Sequence, residues 1–182
     1  EGGVTEQIDP AALAGVVPAV TPDVRPLPPN QAIERTLEGG GTHSYEVKLK
    51  AGEYFHVDVD QRGIDVQLAL AGSNGKVITE RDRPNGMQGP EALSFITTKA
   101  GNYRLDVKAL EAKAEPGRYE IKSTSIRTPT AKDRTRIEAE TLFQEGLQLT
   151  QARTVDSFKE ACDKYETAAA LWQETGDTYA EA

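Results

Sequence analysis

Cys162 is the sole cysteine, and His43 and His56 are the two histidines, of the 182-residue chain. The side chains that dominate nucleophilic and metal chemistry are therefore scarce. Nucleophilic catalysis needs a nucleophile, a base and a group that orients the base. Cys162 falls at helical spacing beside Ala161 and Tyr165, and no histidine follows His56. That placement predicts a small core residue, since free cysteine is among the most buried types. His43 opens a predicted strand and His56 sits on the polar face of the next. Both read as solvated surface histidines, with a hairpin register placing His56 nearest Glu46 or Lys48. Two histidines fall short of the convergent ligand set of a zinc site.

Carboxylates offer the next chemistry. Asp58, Asp60 and Asp65 cluster, with Asp106 on another strand. The turn Asp60-Gln61-Arg62-Gly63-Ile64-Asp65 brings two acids toward one point, which makes Asp60 and Asp65 the calcium candidates. Calcium wants about six to eight oxygens, usually from one dense loop, and no loop here repeats Asp or Asn at alternate positions. The competing reading is that Asp65 holds turn amides while Arg62 forms a local ion pair. Neither phosphate-binding glycine motif occurs; Gly39-Gly40-Gly41 precedes a strand, where no helix start can supply amides to an anion. Tyr54, out of phase with Phe55, is the outward aromatic best suited to stack on a sugar, but one tyrosine is weak evidence for that, and edge-strand packing against the tail or the helices is the preferred reading. These residues predict no catalytic site, no cofactor and no established metal site.

The elements that position these residues follow from periodicity. From residue 31 to 127 the period is two: Tyr45, Val47 and Leu49 alternate with Glu46 and Lys48, and Phe55, Val57 and Val59 with His56, Asp58 and Asp60. Turn sequences recur about every ten residues, Asn74-Gly75 being the sharpest. The pattern predicts a mainly β fold with C-terminal α: an eight-stranded antiparallel sandwich with strands at 32–38, 43–50, 53–60, 65–71, 76–81, 92–98, 102–110 and 117–126. The loop 83–91, with Pro84 and Pro90, is expected to cross between the sheets. Residues 1–30 are rich in proline and read as an extended tail, with one apolar turn, Pro10–Val20, able to dock.

After Pro129 the period becomes helical. Thr130 and Asp133 form a capping box, and Thr154 caps a second helix whose expected buried stripe is Phe158, Ala161, Cys162, Tyr165, Ala168, Ala169 and Trp172. Gly176-Asp177 stops that helix, and Tyr179–Ala182 reads as the start of a third. The expected organisation is tail 1–30, sandwich 31–127 and helices 128–182.

Bulk properties narrow the partners. The net charge of −8 opposes binding to nucleic acid, which needs a basic patch, and to anionic lipid. No apolar run approaches the ~20 residues of a membrane span. A single cysteine allows no internal disulfide and fits either redox compartment. The chain opens on Glu1 and stops within a helical pattern, so both ends read as cut, and prior removal of a signal peptide on export to the periplasm or cell surface is compatible.

Two resemblances extend this reading. Gly146, the spacing Ala161–Tyr165–Ala168 and the run from Ala170 to Asp177 resemble the tetratricopeptide repeat, with a longer inter-helix connection and no closing proline. Gly41-Thr42-His43-Ser44-Tyr45, Ala51-Gly52-Glu53-Tyr54-Phe55, Gly63-Ile64-Asp65-Val66, Ala100-Gly101-Asn102-Tyr103 and Pro116-Gly117-Arg118-Tyr119 resemble the bacterial pre-peptidase C-terminal domain, a small jelly-roll-like sandwich. Their combination resembles the N-terminal region of bacterial repeat proteins that end in a caspase-like CHAT peptidase domain. The resemblance implies a catalytic domain elsewhere and a scaffold here.

The expected function is thus a non-catalytic interaction region in which the sandwich caps or targets a repeat array that binds a protein or peptide. Ile137, Leu142 or Phe143 should contact the sandwich or the second helix. Partly exposed Leu171 and Trp172 would favour dimerisation through the C-terminal helices. The rival is a carbohydrate- or calcium-binding sandwich that targets an exported enzyme.

Overall fold

The alternating segments form strands because each buries one row of side chains against an opposing sheet. The computed structural model describes residues 23–176. Its strands are β1 (Val24–Pro26), β2 (Ala32–Leu37), β3 (Thr42–Leu49), β4 (Tyr54–Arg62), β5 (Val66–Ala71), β6 (Val77–Arg81), β7 (Gln88–Ile96), β8 (Gly101–Ala109) and β9 (Gly117–Arg127). Two helices follow, α1 (Ala131–Gln151) and α2 (Val155–Thr175). One sheet has the order β1-β3-β8-β5-β6 and the other β2-β9-β4-β7. Between them lie Tyr45, Phe55, Val57, Val59, Leu68, Leu70, Leu105, Val107, Tyr119 and Ile121, all fully buried. Each such side chain contributes about 1.5–3 kcal/mol through burial. Among the described residues, no helix is long and apolar enough to cross a membrane.

The structure departs from the expected strands in three places. A ninth strand, β1, lies in the segment read as tail and pairs parallel with β3. Leu27 beyond it is buried, and its N–H donates to the Glu46 carbonyl at 2.9 Å. A three-residue strand is too short to show a period, and its proline is tolerated at a sheet edge. Second, β3 and β4 are not a hairpin. They belong to different sheets, and β4 pairs with β7 and β9. Third, β7 starts at Gln88, so Pro90 lies within a strand, again at an edge. The connection from β6 to β7 crosses between sheets, as the loop composition predicts. The apolar segment Pro10–Val20 and the run Tyr179–Ala182 lie outside the described residues.

Both caps form as predicted. Thr130 and Asp133 bond reciprocally, as do Thr154 and Ser157. Gly176 ends α2 at φ 72°, a left-handed C-cap that glycine adopts without strain. The helices pack where Gly146 faces Tyr165: a Cβ on Gly146 would lie 2.5 Å from the ring. Phe143 reaches both Tyr165 and Trp172, with ring centroids 5.4 and 5.5 Å away.

The buried stripe of α2 is narrower than predicted. Ala161, Ala168 and Trp172 are buried and Tyr165 is half-buried, but Cys162, Ala169 and Phe158 are exposed. One neighbouring helix covers an arc of roughly 100°, and the predicted stripe spans more than that. Trp172, expected to be partly exposed, is instead enclosed by Phe143 and by Arg83, whose guanidinium lies 5.9 Å from its ring.

Candidate functional site

The even-numbered residues of β4 point away from the core. Tyr54, His56 and Asp58 therefore share the outer face of the four-stranded sheet, while Phe55, Val57 and Val59 point inward. The registers place Ser94 of β7 and Ser125 of β9 on either side of His56. Across this face α1 lays a polar stripe. Glu140, nearly fully buried, accepts from the Ser94 hydroxyl at 2.7 Å and from the Ser94 N–H at 3.2 Å, and Arg81 Nε lies 3.6 Å away. Gln144 donates to the Asp82 carbonyl at 3.2 Å. Asp133 receives both terminal nitrogens of Arg127, at 2.6 and 2.8 Å. Burial pushes the Asp133 carboxyl up, but the bonds from Arg127 and Thr130 prevail and hold it far below the ordinary carboxylate range. Between sheet and helices remains a cleft of about 330 Å³ bordered by His56, Asp58, Thr124, Arg136 and Glu140.

This face assembles a serine, a histidine and an aspartate. His56 Nδ1 lies 2.9 Å from Ser94 Oγ, and Nε2 lies 3.1 Å from Asp58 Oδ1. The arrangement is not that of a nucleophile and its base. Ser94 is buried and gives its only proton to Glu140, so its oxygen is an acceptor toward the imidazole and toward the Tyr54 hydroxyl at 3.3 Å. Asp58 also accepts from Thr124 Oγ1 at 3.0 Å. Burial raises its carboxyl, and the bonds from His56 and Thr124 outweigh that and lower it. The network fixes α1 on the sandwich. It corrects the reading of His56 as a solvated histidine: β4 pairs with β7 and β9, so His56 faces Ser94 rather than Glu46 or Lys48. Tyr54 is likewise buried, stacked on His56 at an interplanar angle of 7° with Arg127 above it, and is not available to a sugar.

A second polar cluster closes one end of the sandwich. Glu91 is fully buried, accepts from the Arg83 N–H at 3.0 Å and lies 3.5 Å from the Gln61 amide nitrogen. Burial pushes its carboxyl up to about 8, so it is protonated at neutral pH. Gln61 bridges onward, donating to Asn85 Oδ1 and accepting from the Val66 N–H at 2.6 Å. Nearby, burial and the charge of Glu111 raise Asp65, one of whose oxygens has no hydrogen-bond partner. Asp60 instead accepts from Arg62 Nε at 2.8 Å. Asp106 accepts from Ser44 at 2.7 Å and pairs with Arg104 at 3.0 Å. Among the described residues no three His, Cys, Asp or Glu side chains are grouped to hold a metal ion.

His43 is also internal in function. Its Nδ1 lies 2.8 Å from the Tyr119 hydroxyl, which lies 2.6 Å from that of Tyr45. Burial, aided by the charge of Arg35, lowers the His43 imidazole to about 4. Cys162, expected in the core, is exposed on α2 beside Val155 and Phe158. Sequence reasoning missed Glu140, Glu91 and Gln61: Glu91 fell in the expected loop 83–91 and Gln61 in the expected turn 60–65. The available signal for Glu140 was its seven-residue spacing from Asp133, which puts both on one helix face.

No family model matches this chain, and no curated protein matches it. Among solved structures, the pre-peptidase C-terminal domain of a collagenase from Bacillus anthracis is 20% identical, with 57% of this chain and 96% of that one covered and a TM-score of 0.45. PliG from Aeromonas hydrophila, a periplasmic inhibitor of g-type lysozyme, is 15% identical over 57% and 96%, with a TM-score of 0.47. CorA of Methylomicrobium album BG8, a surface-associated copper-binding protein, is 11% identical over 58% and 98%, with a TM-score of 0.46.

Proposed function

We propose that the chain is a non-catalytic interaction and scaffold region, a jelly-roll-like sandwich (31–127) capping the first hairpin (128–182) of a tetratricopeptide-type array. The observation that supports this is the two-sided helical hairpin. One side of α1 is tied to the sandwich through Asp133, Glu140 and Gln144, and the other packs on α2. The far side of α2 then turns Val155 and Phe158 to solvent at 71% and 47% exposure, with Cys162 beside them. A hairpin that is covered on one side and carries an exposed apolar patch on the other suits one end of a stacked array. The occupant of that side is a partner helix or a second copy of the chain.

Two measurements test the reading. NMR relaxation should give one rotational correlation time for sandwich and hairpin; independent tumbling would sink the capping role. Sedimentation of the whole chain from low micromolar to near-millimolar concentration should show self-association that Phe158→Glu removes. A strictly monomeric wild type counts against the dimer and leaves a heterologous partner as the occupant.

A further inference from the structure

The two sheets have four edge strands, and three of them are blunted. β1 has three residues and ends on Pro26. β7 contains Pro90 and lies under α1, which bonds its Ser94. The exposed positions of β2 are Ala32, Glu34 and Thr36, none of them large and apolar, so that edge offers no apolar anchor. Prolines, short length and the lack of exposed apolar side chains keep edges from pairing with other chains. β6 differs. It pairs only with β5 among the described residues, carries no proline, and exposes Val77 and Ile78 at 41% and 47%. Its two charges are engaged within the molecule, Glu80 by Lys108 at 3.4 Å and Arg81 by Glu140 at 3.6 Å. The β6 edge also borders open space on both sides, a groove of about 790 Å³ toward α1 and a cleft of about 620 Å³ toward the 98–101 turn.

The groove has a second wall suited to a peptide. Gln144, Gln148 and Gln151 recur along α1 at one-turn intervals and line it. A carboxamide both donates and accepts, and Gln144 already bonds a backbone carbonyl, that of Asp82 just past β6. Each base at the groove is matched by an acid, Arg81 by Glu140, Lys108 by Glu80 and Lys164 by Glu145. Asp82 is the carboxylate of the lining left without an ion pair among the described residues.

We infer that the β6 edge binds an extended peptide as a sixth strand of the five-stranded sheet, with β-branched residues beside Val77 and Ile78 and a Lys or Arg near Asp82. Main-chain bonds to the edge supply affinity and the groove supplies selectivity, the mode known as strand addition. This surface is separate from the outer face of α2 and does not depend on what occupies that face.

The test uses the whole chain and a panel of fluorescein-labelled hexapeptides with a Val-Thr-Val core flanked by Lys, Ser or Glu. The Lys-flanked peptide is expected to raise anisotropy saturably below about 1 mM. Methylating its alternate backbone nitrogens should weaken binding about tenfold, because the methyl groups remove donors and leave the side chains. Ile78→Lys should weaken it similarly, Glu flanks should weaken it several-fold, and amide shifts should map to residues 77–81 and 144–151. Absence of binding across the panel, equal binding of the methylated peptide, or shifts confined to other edges would overturn the inference. Self-association that Ile78→Lys abolishes without peptide would overturn it in favour of a second copy.

Discussion

Glu91 shows what burial does to one ordinary carboxyl. Its value near 8 lies above the 4.5 of an exposed glutamate, so the folded chain keeps a proton that the unfolded chain releases. The consequence has a definite sign: the contribution of Glu91 to stability is fully present below about 4.5, falls as pH rises through the interval, and is lost by about 8. Glu91→Gln retains the shape without the charge, so its melting temperature should vary less over that interval than that of wild type. Parallel pH profiles would sink the assignment. His43 acts from the other side. Its folded value near 4 is below the ordinary 6.5, so its contribution is present above 6.5 and lost as pH falls toward 4. The polarity of both residues was legible in the sequence. Their burial was not, because Glu91 and His43 owe it to strands distant in the chain.

At the scale of elements, α1 is a helix with two working faces. Removing Glu140 leaves the Ser94 N–H and hydroxyl without their acceptor and Arg81 without its ion-pair partner. Glu140→Ala should therefore cost about 3 kcal/mol and free the hairpin, which limited proteolysis near residues 128–130 would detect while the strand signature in circular dichroism persists. Unchanged protection of that junction would count against Glu140 as the tie. The opposite face is governed by Gly146. Alanine ordinarily stabilises a helix by up to about 1 kcal/mol over glycine, but here the added carbon meets the Tyr165 ring at 2.5 Å. Gly146→Ala should destabilise by about 1–3 kcal/mol, and adding Tyr165→Ala should remove that penalty in a double-mutant cycle. The capping boxes at Thr130 and Thr154 and the small residue at Gly146 could be read from local spacing alone. The docking role of Glu140 could not, since its acceptor geometry exists only once β7 is in place.

At the scale of the whole molecule, the two proposed partner surfaces among the described residues are the outer face of α2 and the edge of β6. The first predicts that Phe158→Glu lowers self-association without shifting the melting temperature by more than a few degrees, because Phe158 contributes little buried area to the monomer. The sequence by itself determined the class of every element beyond β1: alternation at period two, turns at Asn74-Gly75 and Gly52, and the switch to helical spacing after Pro129. These are local properties, set by which side of a strand or helix each residue occupies. Only the tertiary structure decided that β3 and β4 part into different sheets and that Val24–Pro26 becomes a strand. It also buried Tyr54, half-buried His56 and left Cys162 and Phe158 in solvent. The physical reason is the same in each case. Periodicity states that a face is apolar or polar, whereas burial depends on which neighbour covers that face, and the neighbour is supplied by contacts between residues far apart in the chain.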